Sequence, residues 1–199
     1  MSLKEARKKT ELVLASASSR RADLLRQLGL SFSVVVPNID ESRLPGEPPQ
    51  GFVRRLALEK NADVGKRLES PAVVLSADTI VVVGDHILGK PESRDEGLAM
   101  LLELSGRSHM VLTGVAISTS DYRHQFVVGT KVQFRTLSLG EAEAYWMIGE
   151  PADKAGSYGI QDRGAVFVSG IEGSYSNVVG LPLMETAEVL KQLDIDCLA

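Results

Sequence analysis

Residues 12–28 read LVLASASSRRADLLRQL and contain the first structural unit of this chain. The apolar run 12–15 predicts a short buried strand that ends at Ser16. Between Arg20 and Leu28 apolar residues recur at helical spacing, and Gly29 is a typical residue after a helix. A strand, a serine-rich turn and a helix in this order are typical of an α/β protein.

The rest of the chain continues this alternation of strands and helices. Hydrophobic periodicity predicts strands at 32–36, 73–83, 86–88, 109–119, 125–134 and 166–168, and helices at 50–68, around 98–102, after 138 and from 182 onward. In strand 125–134 apolar and polar residues alternate, which predicts one solvated face. Some neighbouring strands are spaced like hairpins, so we expect an α/β fold with a mixed sheet. Without repeats or a low-complexity linker, residues 1–199 form one domain, preceded by a polar extension at 1–11.

Composition and charge exclude several classes of function. The formal net charge is −4 and no long basic run occurs, which argues against a nucleic-acid partner. No apolar stretch approaches the roughly 20 residues of a membrane span, and residues 1–11 lack the apolar segment of a secretory signal. Cys197 is the only cysteine, so no intrachain disulfide forms. These features predict a cytoplasmic protein without a membrane partner.

Asp78 interrupts the most apolar strand of the chain, in the sequence Ser76-Ala77-Asp78-Thr79. Aspartate is disfavoured in strands, and burying a carboxylate without a partner is costly. A metal ion, a proton to be moved or a buried hydrogen-bond network would each explain it. The alternative is an aspartate at a strand end that accepts hydrogen bonds from neighbouring backbone.

The serine-rich turn predicts an anion site. A helix N-terminus offers unpaired backbone N–H groups and the positive end of a dipole. Ser16 and Ser18 can add hydroxyl donors, while Arg20 and Arg21 can add charged forks that suit phosphate. The alternative is that a serine simply caps the helix and that both arginines are solvated.

Three further stretches are compatible with either a functional or an ordinary surface role. Asp40-Glu41 lies in a proline-rich loop, and Glu41 together with Asp78 would suit a hard divalent cation. Lys90-Pro91 follows the predicted hairpin, where the lysine would face solvent or a phosphate. Residues 153–161, DKAGSYGIQ, have two glycines around a tyrosine and predict a tight loop.

Taken together, these pieces resemble the Maf family of nucleoside triphosphate pyrophosphatases. The matching stretches occur in the family's order and span about 12–193: LASASSRR at 14–21, ADT at 77–79, KP at 90–91, LSGR at 104–107 with His109, residues 153–161, and NVVGLP at 177–182. The family usually has proline where Ser19 stands, often glycine where Ser76 stands, and an acid where Gly89 stands. The first two departures remove no functional group, whereas Gly89 lacks the carboxylate of the usual acid and weakens the case for a charge at that position.

The resemblance implies an elongated, twisted sheet flanked by helices, with a cleft between two lobes and a homodimeric assembly. It implies hydrolysis of a nucleoside triphosphate to the monophosphate and pyrophosphate with Mg²⁺ or Mn²⁺, Asp78 being the catalytic acid and proton acceptor. Arg21, Thr79 and Gln161 are similar to the selectivity positions of the subgroup that prefers dTTP and UTP. A subgroup acting on 7-methyl-GTP differs there and is the nearest alternative.

The charge of a nucleoside triphosphate agrees with the activity that the resemblance implies. A triphosphate carries about four negative charges and needs a divalent cation and basic groups. The candidates for the basic groups are Arg20, Lys60, Lys90 and the helix N-terminus. We expect Lys90 to take part in catalysis. Glu41 and Asp78 are the candidate metal ligands, and Asp78 is equally compatible with a general base.

Two other functions remain possible at this point. The family is associated with inhibition of septum formation, so a nucleotide-responsive regulator of cell division is one alternative. The other is a phosphatase for small phosphosugars, which the paired arginines alone would allow. Release of pyrophosphate from a nucleotide would exclude both.

Overall fold

We analysed a computed structural model of the chain, which describes residues 11–198. The predicted polar extension lies outside this range, apart from Glu11. The strands are β1 Glu11–Ala15, β2 Ser33–Val34, β3 Ala72–Val83, β4 His86–Leu88, β5 Ser108–Ser118, β6 Arg123–Phe134 and β7 Val168–Glu172. The helices are α1 Ser19–Gln27, α2 Pro49–Arg67, α3 Arg94–Leu104, α4 Leu139–Met147, α5 Tyr175–Val179 and α6 Leu183–Gln192. Three 3₁₀ turns cover Glu150–Asp153, Ala155–Ser157 and Arg163–Phe167.

All seven strands form one mixed sheet, which confirms the predicted fold class. Their order is β2-β1-β3-β5-β6-β7, with β4 paired to β3 as a hairpin. Strand β1 runs parallel to β2 and β3, and the other pairs are antiparallel. No helix among residues 11–198 is both long and apolar enough to cross a membrane.

Strand β3 presents alternate residues to the two faces of the sheet, because side chains of a strand alternate in direction. Ser76 points toward helix α2, since its Oγ donates to Ala57 O at 2.7 Å. Asp78 follows on the same face, and Lys60 of α2 reaches it. Thr79 lies on the opposite face, where it meets Arg21 of α1. Helices α1 and α2 therefore deliver cations to neighbouring residues of one strand from opposite sides.

Helix α2 approaches the sheet closely at Gly114 of β5. A Cβ at this glycine would lie 2.4 Å from Val53 O and 2.6 Å from Val53 C, so only glycine fits beneath the helix backbone. Strand β5 pairs Gly114 directly with Asp78. Glycine at position 114 thus allows α2 to pack close to the sheet next to the Asp78 carboxylate.

A cleft opens where β1 ends. Strand β1 pairs with β3 only as far as Ala15 opposite Ser76, and β3 continues without this neighbour. Residues Ala77, Asp78 and Thr79 therefore lie beside an opening at the carboxyl end of a parallel strand, a common location for ligand sites in α/β sheets.

Several local predictions are confirmed. Ser138 and Glu141 form the capping box of α4, with both reciprocal hydrogen bonds present. Ser18 caps α1, and Gly149 has a left-handed φ of 77° after α4. In β6, Thr130, Val132 and Phe134 are buried while the intervening residues are exposed.

Two predicted strands are wrong in extent or place. The strand expected at 32–36 is reduced to Ser33–Val34, because β2 is an edge strand with β1 as its only partner among the described residues. The strand expected at 166–168 is mostly a 3₁₀ turn, and β7 begins at Val168. Val166 is 64% exposed whereas Phe167 is buried, so only part of the apolar run that suggested a strand enters the core.

Candidate functional site

The cleft beside β3 has a volume of about 480 Å³ and brings the predicted site residues together. Its lining comes from the serine-rich turn, the proline-rich loop, helix α2, strand β3, the hairpin end and loop 153–161. All ten candidates are included: Ser16, Ser18, Arg20, Arg21, Glu41, Lys60, Asp78, Thr79, Lys90 and Gln161. Sequence positions up to 145 residues apart thus share one cavity.

The serine-rich turn is ordered by its own hydroxyls. Ser16 Oγ accepts a hydrogen bond from Ser18 N at 3.1 Å, and Ser18 Oγ accepts one from Arg21 N at 3.4 Å. These bonds fix the entry to α1, whose first residues, Ser19, Arg20 and Arg21, line the cleft. The serines therefore shape the turn in addition to lining the cleft.

Arg21 is held by the protein itself. Its Nε donates to Gly180 O at 2.8 Å, its Nη1 to Ser16 Oγ at 3.2 Å and its Nη2 to Thr79 Oγ1 at 3.0 Å. Burial lowers the pKa of this guanidinium, and the nearby Asp78 carboxylate opposes that effect. Arg21 therefore forms a partly buried cross-link in the cleft floor, and its expected role as a phosphate fork stays a prediction.

Thr79 continues this network along the same face of the sheet, to Thr113 of β5 and to α5. Its Oγ1 lies 2.9 Å from Thr113 Oγ1, which donates to Asn177 O at 3.1 Å. Two of the three predicted selectivity residues, Arg21 and Thr79, are consequently one hydrogen-bonded unit. A substitution at either position would disturb the other.

Asp78, Lys60 and Glu41 form the charged centre of the cleft. Lys60 Nζ donates to Asp78 Oδ1 at 2.7 Å and to Glu41 Oε2 at 2.8 Å. The side chains of Lys60 and Asp78 are 7% and 10% exposed, whereas Glu41 is 57% exposed. The buried carboxylate that the sequence singled out therefore has a cation as its partner, because an unpaired charge there would be unstable.

The neighbouring Asp40 does not join this centre. Its carboxylate accepts the Ser42 N–H at 2.9 Å within the loop, and hydrogen bonds with Ser42 lower the Asp40 pKa. Asp40 is absent from the cleft lining. Of the two adjacent acids, only Glu41 faces the cavity.

The donor set suits a divalent cation that is shared with a substrate. Among residues 11–198 no cluster of three or more His, Cys, Asp or Glu side chains is arranged to hold a metal. Glu41 and Asp78 both contact one ammonium, so a cation already sits between two carboxylates in this fold. Mg²⁺ in nucleotide sites is commonly bound by one or two carboxylates, with water and phosphate oxygens completing the shell.

A second ion-pair group spans the mouth of the cleft. Asp153 Oδ2 pairs with Arg20 Nη1 at 2.9 Å, and Asp153 Oδ1 with Lys154 Nζ at 2.8 Å. Burial alone would raise the pKa of Asp153, but the hydrogen bonds from Lys154 and Arg20 outweigh it and lower the pKa to about 2. Lys90 lines the same region, and among the described residues it has no ion-pair partner.

Some cleft residues were not given a role from the sequence. Lys154, with a side chain 11% exposed, adds a cation beside Arg20, and Asp162 adds an acid beside Gln161. Phe52 was assigned only to the buried stripe of α2, yet it also lines the cavity. The sole signal for Lys154 and Asp162 was their position in or next to the glycine-containing motif at 153–161.

Comparison with known protein families shows to which family this chain belongs. Residues 11–193 match the family described as Maf-like protein. The chain belongs to the Maf family. The resemblance predicted from its motifs is therefore confirmed.

Curated Maf relatives are similar over nearly their full length. A dTTP/UTP pyrophosphatase of Vibrio parahaemolyticus is 50% identical over 187 residues, covering 94% of this chain and 98% of the relative. A dTTP/UTP pyrophosphatase of Vibrio cholerae is 50% identical over 181 residues, covering 91% and 97%.

A distant solved structure shares the Maf fold of this chain. A HAM1 protein from Coxiella burnetii aligns with a TM-score of 0.53 and 16% identity, covering 92% of this chain and 99% of that one. At this identity the likeness concerns the fold alone, and it agrees with the predicted mixed α/β architecture.

Proposed function

We propose that this protein hydrolyses dTTP and UTP to the nucleoside monophosphate and pyrophosphate. The observation that carries the proposal is the Asp78–Lys60–Glu41 centre, in which Asp78 and Lys60 are buried, in a cleft lined by further cations. Relatives about 50% identical over almost the whole chain are named dTTP/UTP pyrophosphatases, which supports the choice of substrate.

The phosphates would lie against the N-terminus of α1. Arg20, Lys90 and Lys154 all line the cleft together with the first turn of α1, and Arg20 and Lys154 share the partner Asp153. Arg20 and Lys154 are engaged with Asp153 when no substrate is bound, so an incoming phosphate would compete with that carboxylate. Charge-assisted hydrogen bonds to phosphate are strong enough for such an exchange.

Glu41 and Asp78 would hold the divalent cation, which neutralises phosphate charge when it is bound. Lys60 lies between the two acids and keeps them within reach of one site. No hydrogen bond to Asp78 Oδ2 is found within residues 11–198, so that oxygen is available to a water molecule. Asp78 would accept the proton of the water that attacks the α-phosphorus, while the bond from that phosphorus to the leaving pyrophosphate oxygen breaks. Lys60 would hold the Asp78 carboxylate in position through its hydrogen bond to Oδ1.

Gln161 would select the base. Its amide can donate to one atom of the base edge and accept from the neighbouring atom, which suits the alternating carbonyl and N–H groups of thymine and uracil. Arg21 and Thr79 would fix the floor of the cleft through their shared hydrogen bond. A cytosine edge has a different pattern and would leave polar groups unpaired.

The decisive experiment is a panel of nucleoside triphosphates incubated with the purified protein and Mg²⁺. We expect pyrophosphate from dTTP and UTP, with kcat/KM at least about tenfold above CTP and 7-methyl-GTP, a difference of ~1.4 kcal/mol. Release of inorganic phosphate from phosphosugars, or binding of nucleotides without turnover, would refute the proposal in favour of a phosphatase or a regulator. A preference for 7-methyl-GTP would place the chain in the other subgroup.

We propose in addition that the protein acts as a cytoplasmic homodimer. The single cysteine, Cys197, is compatible with a reducing compartment. The dimer rests on the family resemblance. Sedimentation velocity of the purified protein tests it, and a single species with the mass of one chain would contradict it.

A further inference from the structure

The segment 159–164 has Gln161 near its centre, and no hydrogen bond within residues 11–198 holds that side chain. Gln161 is exposed, and no hydrogen bond of its side chain is found among the described residues. Its position relative to a base is therefore set by the backbone of the segment. Contacts that hold the backbone of 159–164 in place therefore affect base selection.

Two side chains hold both ends of the segment. Tyr145 of α4 donates its hydroxyl to Glu150 Oε1 at 2.5 Å and accepts the Gly159 N–H at 3.0 Å. The Glu150 carboxylate accepts the N–H groups of Arg163 and Gly164, each at 3.1 Å. We call this pair the Tyr145–Glu150 bracket.

The two ends of the segment are also in direct contact. A Cβ at Gly164 would lie 2.5 Å from Gly159 O and 2.6 Å from the Tyr145 hydroxyl oxygen. Gly159 and Gly164 are both buried, so neither end can move without disturbing the other. The segment is a closed loop whose two ends, Gly159 and Gly164, are in contact and form its neck. Gln161 lies at its exposed tip.

The bracket is rigid and keeps its proton. The Tyr145 ring is 5% exposed and packs edge-on against Phe167, with 4.9 Å between ring centroids. Burial, reinforced by the hydrogen bond with Glu150, raises the pKa of the Tyr145 hydroxyl well above its usual value. The phenol is therefore a constant donor to Glu150 and a constant acceptor for Gly159.

We propose that Tyr145 and Glu150 are positioning residues that set base selectivity by holding the neck of the loop bearing Gln161. The inference rests on the proposed dTTP and UTP hydrolysis, since it concerns how that substrate is distinguished. Neither residue lines the cleft, so neither touches the substrate. Their effect reaches the base through the backbone of 159–164.

The test is Tyr145→Phe, with Ser105→Ala as the matched control. Each substitution removes one hydroxyl that accepts a backbone N–H, from Gly159 in the first case and from Leu137 at 2.7 Å in the second. Ser105 is outside the cleft, so it reports the general cost of losing such a bond. We expect Tyr145→Phe to reduce kcat/KM for UTP about tenfold, mainly through KM, and that for CTP less than about threefold. Ser105→Ala should leave the UTP-to-CTP ratio unchanged.

Glu150→Gln provides a second variant in case the first is poorly folded. The amide keeps one acceptor oxygen but cannot accept both the Arg163 and Gly164 N–H groups. It should therefore give a UTP-to-CTP ratio between those of the wild type and Tyr145→Phe. Hydrogen–deuterium exchange without nucleotide supplies a readout independent of turnover, and segment 159–164 should exchange at least about tenfold faster in Tyr145→Phe but not in Ser105→Ala.

The outcomes separate this inference from the proposed function. If the wild type releases no pyrophosphate from UTP, the proposed function fails, and the base-selecting role falls with it whatever the exchange data show. If the wild type is active and selective but both bracket variants keep the UTP-to-CTP ratio within about twofold, only the positioning role is overturned. Unchanged exchange at 159–164 in Tyr145→Phe would overturn it as well.

Discussion

Removing charges from the Asp78–Lys60–Glu41 centre should separate its catalytic part from its contribution to stability. We consider Asp78→Asn, Lys60→Met and the double variant. Asp78→Asn should reduce kcat by more than about tenfold, a loss of at least ~1.4 kcal/mol in the barrier, because an amide cannot accept the proton of water. The double variant should be equally inactive.

The stability changes follow from burial and pairing. Lys60→Met leaves the buried Asp78 carboxylate without its lysine partner, so it should cost about 3–5 kcal/mol, the range for breaking a buried pair. Asp78→Asn should cost about 1–3 kcal/mol, since the amide oxygen still accepts from Lys60 and Glu41 still balances its charge. The double variant leaves no unmatched charge in the buried part, so the two effects should be non-additive by about 2 kcal/mol.

Urea unfolding measures these differences through the fluorescence of Trp146, the only tryptophan in the sequence. Pyrophosphate release measures turnover on the same preparations. A stability loss in the double variant equal to the two single losses combined would show that Lys60 and Asp78 do not interact energetically. An Asp78→Asn protein that retains more than about a tenth of the wild-type kcat would refute the catalytic role.

Three further predictions concern the metal, the base and pH. Chelation should abolish pyrophosphate release while the melting temperature changes by less than about 2 °C, because an ion held by two carboxylates adds little to folding; full activity after exhaustive chelation would contradict this. Gln161→Glu should reduce the UTP-to-CTP ratio in kcat/KM toward one, since it replaces a donor with an acceptor, and an unchanged ratio would show that Gln161 does not read the base. Burial lowers the pKa of His109 to about 4, so the unfolded chain binds more protons than the folded protein between pH 6.5 and pH 4. The free energy of unfolding should therefore fall as pH falls through that window, by up to about 3 kcal/mol from this residue. Urea unfolding at pH 6.5, 5.5 and 4.5 should show a shallower fall of that free energy in His109→Gln than in the wild type. Parallel falls in the two proteins would show that His109 does not cause this pH dependence.

Local patterns in the sequence predicted the parts of the fold that depend on neighbouring residues. The β1–α1 unit follows from apolar spacing, and the start of α4 follows from the capping box at Ser138 and Glu141. Asp78 could be singled out because a carboxylate in an apolar strand is energetically unusual. The short β2 and the 3₁₀ turn at Arg163–Phe167 were missed, because an apolar run shows neither an edge position nor an exposed turn.

Contacts between distant residues were beyond reach of the same reasoning. Lys60 was expected to serve the phosphates, yet its spacing in α2 does not indicate that Asp78 and Glu41 are its partners. Arg21 was expected to be a phosphate fork, and the structure instead gives each of its nitrogens a protein acceptor. The Tyr145–Glu150 bracket has no sequence signal, since its bonds go to backbone N–H groups of any residue type.

The cross-link from Arg21 to Gly180 joins residues 159 positions apart and has a consequence for protein synthesis. At about 5–20 residues per second, translation takes roughly 10–30 s to produce the acceptor after the arginine. During that interval the floor of the cleft lacks this hydrogen bond, so the cleft is completed only after Gly180 has been synthesised. A polypeptide released from the ribosome before Gly180 would leave the guanidinium of Arg21 without that carbonyl.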